Sequence, residues 1–209
     1  MPREKSKRRK IWQWLGILLV VCGLGLLGYF AYQKVQIDYY QYRLRKAYED
    51  TFYDLPDGSD KFDDIVITER QPMRLVIPKI NVDLIVQVGD VFDMALLDKG
   101  PVHFQMSDLP STEPGNVAIA AHRGSRWGFF TDLDRLRAGD QLFLDVAGYR
   151  FIYEMEWKKI VEPDDWSVID STDYPALTLQ TCHPKNVRGT HRLIVRAKLV
   201  SVTRAPLFN

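Results

Sequence analysis

Cysteine is scarce in this chain: two in 209 residues, Cys22 and Cys182. Cys22 sits inside a long apolar run, so the body of the protein holds one thiol and no internal disulfide can form there. No glycine-rich phosphate loop occurs, the histidines and acids lack metal-ligand spacing, and no nucleophile-elbow motif surrounds Ser107 or Ser171. A nucleotide, metal or serine-hydrolase site is therefore not indicated, and no cofactor is expected. An excess of positive charge is missing as well. The formal net charge is +1, with six basic side chains and only Glu4 as acid in residues 1–10, leaving 22 basic and 26 acidic beyond them. A mildly acidic body gives no electrostatic footprint for nucleic acid, so none is expected as a partner.

Charge is absent altogether from residues 11–33, IWQWLGILLVVCGLGLLGYFAYQ. At about 1.5 Å rise per residue, a helix of this length crosses a hydrocarbon core of roughly 30 Å with some tilt. Trp12 and Trp14 stand at one end, Tyr29 and Tyr32 at the other, where amphipathic rings favour the interface. A cleaved signal peptide would have an apolar region of about 7–15 residues ending in small side chains, so an uncleaved anchor is expected. The basic segment 1–10 should then stay cytoplasmic and everything after residue 33 should lie outside the cell. In that oxidising compartment an unpaired cysteine is a liability unless it is buried or used.

Residues 34–72 read as a stalk or N-terminal appendage. Residues 35–52 have helical character and DLPDGSD, 54–60, breaks it. A spacer is favoured over a lid or a helix packed on the domain. From residue 73 to 209 the pattern changes to short strands: MRLVIPKINVDLIVQVG with a bend or edge at Pro78, the buried run NVAIAAH, and a hairpin across Ala147-Gly148. WKKIV, ALTLQT and HRLIVRAKLVSV follow, and only FFTDLDRL, 129–136, looks helical. Strands separated by turns predict a mainly β, closed or nearly closed barrel with short helices.

A thiol of ordinary acidity is only about 3% thiolate at pH 7, so a catalytic Cys182 needs partners. His183 is its neighbour on a strand and should point to the opposite face. His122 closes NVAIAAH where a rigid element gives way to a loop, a common place for catalytic groups. Arg192 opens HRLIVRAKL and shares a face with Ile194 and Arg196. If Cys182 ends one strand and Arg192 begins its partner, a guanidinium stands beside the thiol and suits an oxyanion. On spacing alone, a small buried thiol, a structural histidine and a salt-bridged surface arginine stay open as readings.

These residues together resemble the sortase family. The similarity rests on VIPKINVDL (76–84), NVAIAAHRG (116–124), FFTDLDRLRAGDQLFL (129–144), TLQTC (178–182) and HRLIVRA (191–197), in that order. The resemblance implies a sortase-like barrel that cleaves an LPxTG-type sorting signal between threonine and glycine and passes the acyl group to an amine. It implies Cys182 as nucleophile, His122 as general acid and base, and Arg192 as substrate-positioning and oxyanion residue. The segment VEPDDWSVIDSTDYPA (161–176) is similar to the signal-binding loop, with Trp166 and Val168, and Thr181 beside the thiol, as substrate contacts. Implied partners are the sorting signals of secreted surface proteins, a membrane, and an amine from a peptidoglycan precursor or a pilin lysine. Cell-wall attachment is the expected outcome; pilin polymerisation or a barrel that binds without turnover are the alternatives. Ala121 stands where the family often has glycine, and its methyl either matters little or narrows the site.

Overall fold

In the computed structural model the described residues are 3–53, 67–68, 71–124, 128–185 and 189–206. They divide into two units after Tyr40. Helix α1 (Arg3–Tyr53) joins what the sequence reading separates into an anchor and a stalk. No proline falls within it, and its composition supplies no other breaker strong enough to end a helix. The stretch Lys10–Asp50 contains an 18-residue window of mean hydropathy 2.2, none of it buried, and is a candidate membrane span. The breaker DLPDGSD lies outside the described residues.

The second unit begins at Gln41, and the spacer expectation fails for residues 41–48. Gln41 accepts a hydrogen bond at Oε1 from the Ile85 N–H (3.0 Å), Arg45 pairs with Asp83 (3.0 Å), and Tyr48 is buried. Positions 41, 45 and 48 share one helical face by their spacing, and that face is docked.

Among the described residues eight strands form one sheet: β1 (Met73–Ile77), β2 (Val82–Val86), β3 (Val102–His103), β4 (Gly115–Ala120), β5 (Gln141–Val146), β6 (Tyr149–Val161), β7 (Pro175–His183) and β8 (His191–Arg204). Their spatial order is β2-β1-β5-β6-β8-β7-β4-β3. The two edges nearly meet. Beyond β2, the Gln87 N–H donates to the Pro101 carbonyl (2.8 Å) and the Gln87 carbonyl accepts from the His103 N–H (3.2 Å), drawing the barrel almost shut. Near-closure leaves little unpaired edge.

Turn chemistry follows the residues. Pro78 opens a short 3₁₀ turn (Pro78–Ile80) between β1 and β2, ended by Asn81 in the left-handed region. Ala147 and Gly148 both have positive φ, 49° and 76°, the two-residue turn that suits the twist of a β-hairpin. WKKIV is no separate strand; it prolongs β6 to 13 residues. FFTDLDRL contains only a 3₁₀ turn, Leu133–Arg135.

Asp83 on β2 accepts from Arg74 (2.7 and 2.8 Å) and from Arg45 of α1. Burial pushes its carboxyl up, but hydrogen bonds and charge from the two guanidinium groups more than offset this and hold it below the ordinary carboxylate range. A depressed carboxylate stabilises the fold above its unfolded pKa, and the contribution disappears as pH falls through the folded value. Asp83→Asn is expected to lower Tm at neutral pH by about 2–4 °C. Thermal melts should show that gap closing as the pH drops below about 4.

Candidate functional site

The side-chain alternation of the barrel wall decides which residues meet. In β4, β7 and β8, Val117, Ile119, Leu177, Leu179, Leu193 and Val195 pack into the barrel interior. Ala118, Ala120 and Ile194 point the other way, into a second apolar cluster with Phe104, Val161 and Val168. Period-two alternation carries Cys182, Arg192 and, just past β4, His122 onto this second face. The Arg192 face is thus turned away from the barrel interior, not inward.

Cys182 is the direct cross-strand partner of Arg192. Side chains in such pairs stand about 5 Å apart at Cβ on one side of the sheet. On the other flank β7 runs parallel to β4, with Ala120 opposite Gln180 and the Ala121 N–H donating to the Gln180 carbonyl (3.2 Å). Extending that register by two residues sets His122 across from Cys182. All three line one cleft of about 240 Å³, and they are the only ionisable side chains among its described lining residues. Its walls are otherwise largely apolar. At the rim Phe92 and Trp166 meet edge to face at 5.7 Å, both exposed.

The thiol is partly exposed. Arg192 donates to its neighbour His191's carbonyl (3.1 Å), and no carboxylate pairs with it among the described residues. His122 places Nε2 2.9 Å from Asp98 Oδ1. The other histidines are engaged elsewhere: His183 faces away from the thiol and its Nδ1 meets Arg123 (2.9 Å), His191 lies 3.3 Å from Glu162, and buried His103 bonds Ser107 and the Asp108 carbonyl.

Two of the expected substrate contacts, Val168 and Thr181, also hold structural positions. Val168 is buried in the second cluster, and its carbonyl accepts from Asn116 (3.1 Å) and Arg196 (3.0 Å). It anchors the loop that carries Trp166, because a short 3₁₀ turn, Trp166–Val168, turns the two side chains apart. Thr181 is buried and donates its hydroxyl to the Ala121 carbonyl (2.7 Å), tying the ends of β4 and β7 together. Trp166 and Thr181 both line the cleft, and Val168 is not among its lining residues. Ala121 packs with the barrel-interior cluster and also lines the cleft.

Arg123, which the sequence reading left without a role, knits the site from below. It is 3% exposed and donates to the Cys182 carbonyl (3.4 Å), to His183 Nδ1, and to Asp134 (3.0 Å). Burial raises the Asp134 carboxyl, but the Arg123 hydrogen bond and charge outweigh it and hold it below the ordinary range. Among the described residues no group of three His, Cys, Asp or Glu side chains is placed to hold a metal ion.

The family model of the sortase domain matches residues 75–200, which span every one of these groups. The chain belongs to the sortase family. It is 37% identical over 131 residues to sortase D of Bacillus subtilis (strain 168), covering 61% of this chain and 63% of that protein. Sortase SrtE1 of Streptomyces coelicolor is 27% identical over 140 residues, 60% of this chain and 39% of that protein. The chain thus spans less than two thirds of the length of either relative. Among solved structures, a Clostridium perfringens sortase D5 transpeptidase superposes with a TM-score of 0.59 at 25% identity, covering 76% of this chain and 99% of that one.

In this sortase the thiol also depends on a glycine after it. A Cβ on Gly189 would lie 2.7 Å from Cys182 Cβ, 3.3 Å from Sγ and 3.4 Å from Cα. The obstacle is the root of the cysteine rather than a flexible tip, so the strand end must move. Displacement of a reacting atom by about 1 Å costs on the order of 10²-fold in rate. Gly189→Ala is expected to slow any reaction of the Cys182 thiol by about 10–100-fold. Turnover assays alongside thermal melts will separate this from unfolding.

Proposed function

We propose that this sortase is a membrane-anchored cysteine transpeptidase that cleaves an LPxTG-type signal and joins the new acyl terminus to an amine. The observation that carries the reading is the row of Arg192, Cys182 and His122 across three neighbouring strands, opening into one apolar cleft. Cys182 Sγ attacks the threonine carbonyl, and the guanidinium of Arg192, which has no carboxylate partner among the described residues, steadies the negative charge that develops on oxygen. The carbon–nitrogen bond then breaks, the leaving glycine amine takes a proton from His122, and a thioester remains. An incoming amine gives a proton to His122, attacks the thioester and releases the thiolate. The aromatic rim of Phe92 and Trp166 suits the apolar residue of the signal.

The apolar part of α1 supports a single-pass anchor, with the basic residues 1–10 cytoplasmic and the barrel outside. Attachment of surface proteins to the cell wall is the biological outcome that follows. The test is incubation of the full-length chain in detergent with LPxTG-like peptides and two amines, a glycine-terminated peptide and a lysine side chain. Ligation to the glycine amine supports the reading, and ligation to lysine alone would point to pilin joining. Absence of any thioester or cleavage across a broad peptide panel sinks it.

A further inference from the structure

Asp98 is the only carboxylate bonded to His122 among the described residues, and it comes from a part of the chain remote from the three reactive groups. It caps the short helix α2 (Met94–Leu97), with its own N–H bonded to the Met94 carbonyl (2.9 Å). Its Oδ1 stands 2.9 Å from His122 Nε2. A carboxylate only accepts, so Nε2 carries the proton in the neutral ring and Nδ1 is left to exchange protons with substrate. The segment that presents Asp98 is itself held from two sides. Gln87 donates Nε2 to the Leu96 carbonyl (3.0 Å), and Gln41 of α1 donates Nε2 to the Lys99 carbonyl (2.9 Å). Gln41 also accepts the Ile85 N–H, so its amide has both ends engaged. It sits so close over Gly100 that a Cβ there would be 2.3 Å from Gln41 Nε2.

We propose that Asp98 is the positioning residue of His122 and that Gln41 of α1 holds Asp98 in place. The proposal rests on the acid–base reading of His122 given above. The carboxylate fixes the imidazole's orientation and tautomer and stabilises the imidazolium that donates to the leaving amine and re-forms when the incoming amine gives up its proton. The docked end of α1 is then part of the catalytic apparatus as well as the end of a tether. Without Gln41, this segment loses its tie to α1 and retains the Gln87 bond at Leu96 and the backbone bonds of Asp98 and Lys99 to α2.

Steady-state kinetics of the full-length chain in detergent test this, with an LPxTG-like peptide and a glycine amine. Asp98→Asn keeps an acceptor oxygen but removes the charge, and Asp98→Ala removes both. Each is expected to lower kcat by about 10–100-fold with KM within about twofold, because positioning acts on the chemical step. Gln41→Ala is expected to lower kcat by about 3–10-fold in the wild-type background and to have no further effect beside Asp98→Ala. Thermal melts of each variant show that the fold persists, which half-exposed Asp98 permits. If both Asp98 variants keep kcat within about threefold while His122→Ala is inactive, the positioning role is overturned and the acid–base reading stands. If His122→Ala itself keeps normal turnover, the underlying reading fails instead. A Gln41→Ala loss that adds in full to that of Asp98→Ala overturns the clamp.

Discussion

Replacing Cys182 with alanine is expected to abolish the acyl-enzyme and to lower turnover by at least about 10⁴-fold. The size of the effect follows from chemistry with no substitute nearby. The cleft contains no second nucleophile among its described ionisable lining residues, and the only other thiol, Cys22, lies in the apolar part of α1. The substitution is structurally mild, because Cys182 is only half-buried and lies outside both apolar clusters. Intact-mass measurement of enzyme mixed with signal peptide gives a clean readout: wild type gains the mass of the acyl fragment and the variant gains none. A variant that still acquires that mass would move the nucleophile elsewhere.

Arg192→Ala carries the second large loss, about 10²–10³-fold in kcat, the range seen when one oxyanion donor is removed. Arg192 faces an apolar cleft, has no carboxylate partner among the described residues, and stands opposite Cys182 in the strand register. Its charge is therefore available to a developing oxyanion. Arg192→Lys should recover only part of the rate, since an ammonium supplies charge without the planar fork of donors. Stability should change little, because the side chain is partly exposed. Comparing kcat with KM in the two variants separates stabilisation of the oxyanion from ground-state binding. Wild-type kcat in Arg192→Ala would remove the residue from the chemistry.

What was legible in the sequence was local. Alternation around ALTLQT and HRLIVRA predicts neighbouring strands, and a short connection between them brings Cys182 beside Arg192. The Ala147-Gly148 hairpin is legible for the same reason, despite its weak turn residues. Val168 shows the limit. The resemblance offers it as a substrate contact, but its side chain packs in the second cluster and its carbonyl accepts from Asn116 and Arg196, which belong to other parts of the chain. Asp98 and Gln41 leave no trace in periodicity, since their partners lie 24 and 58 residues away. Arg123 stood within a motif already quoted. Its three acceptors become visible only once β7 and the turn at Asp134 are in place.

The parallel pairing of β4 with β7 has a consequence for when reactivity begins. Cation and sulfur come together through a hairpin ten residues long, a cheap and early closure, whereas residues at the ends of β4 and β7 are separated by sixty. Such distant partners meet late in folding. On the mechanism proposed above, a newly made chain carries an unarmed sulfur until its imidazole arrives, and a misfolded copy lacks the assembled site.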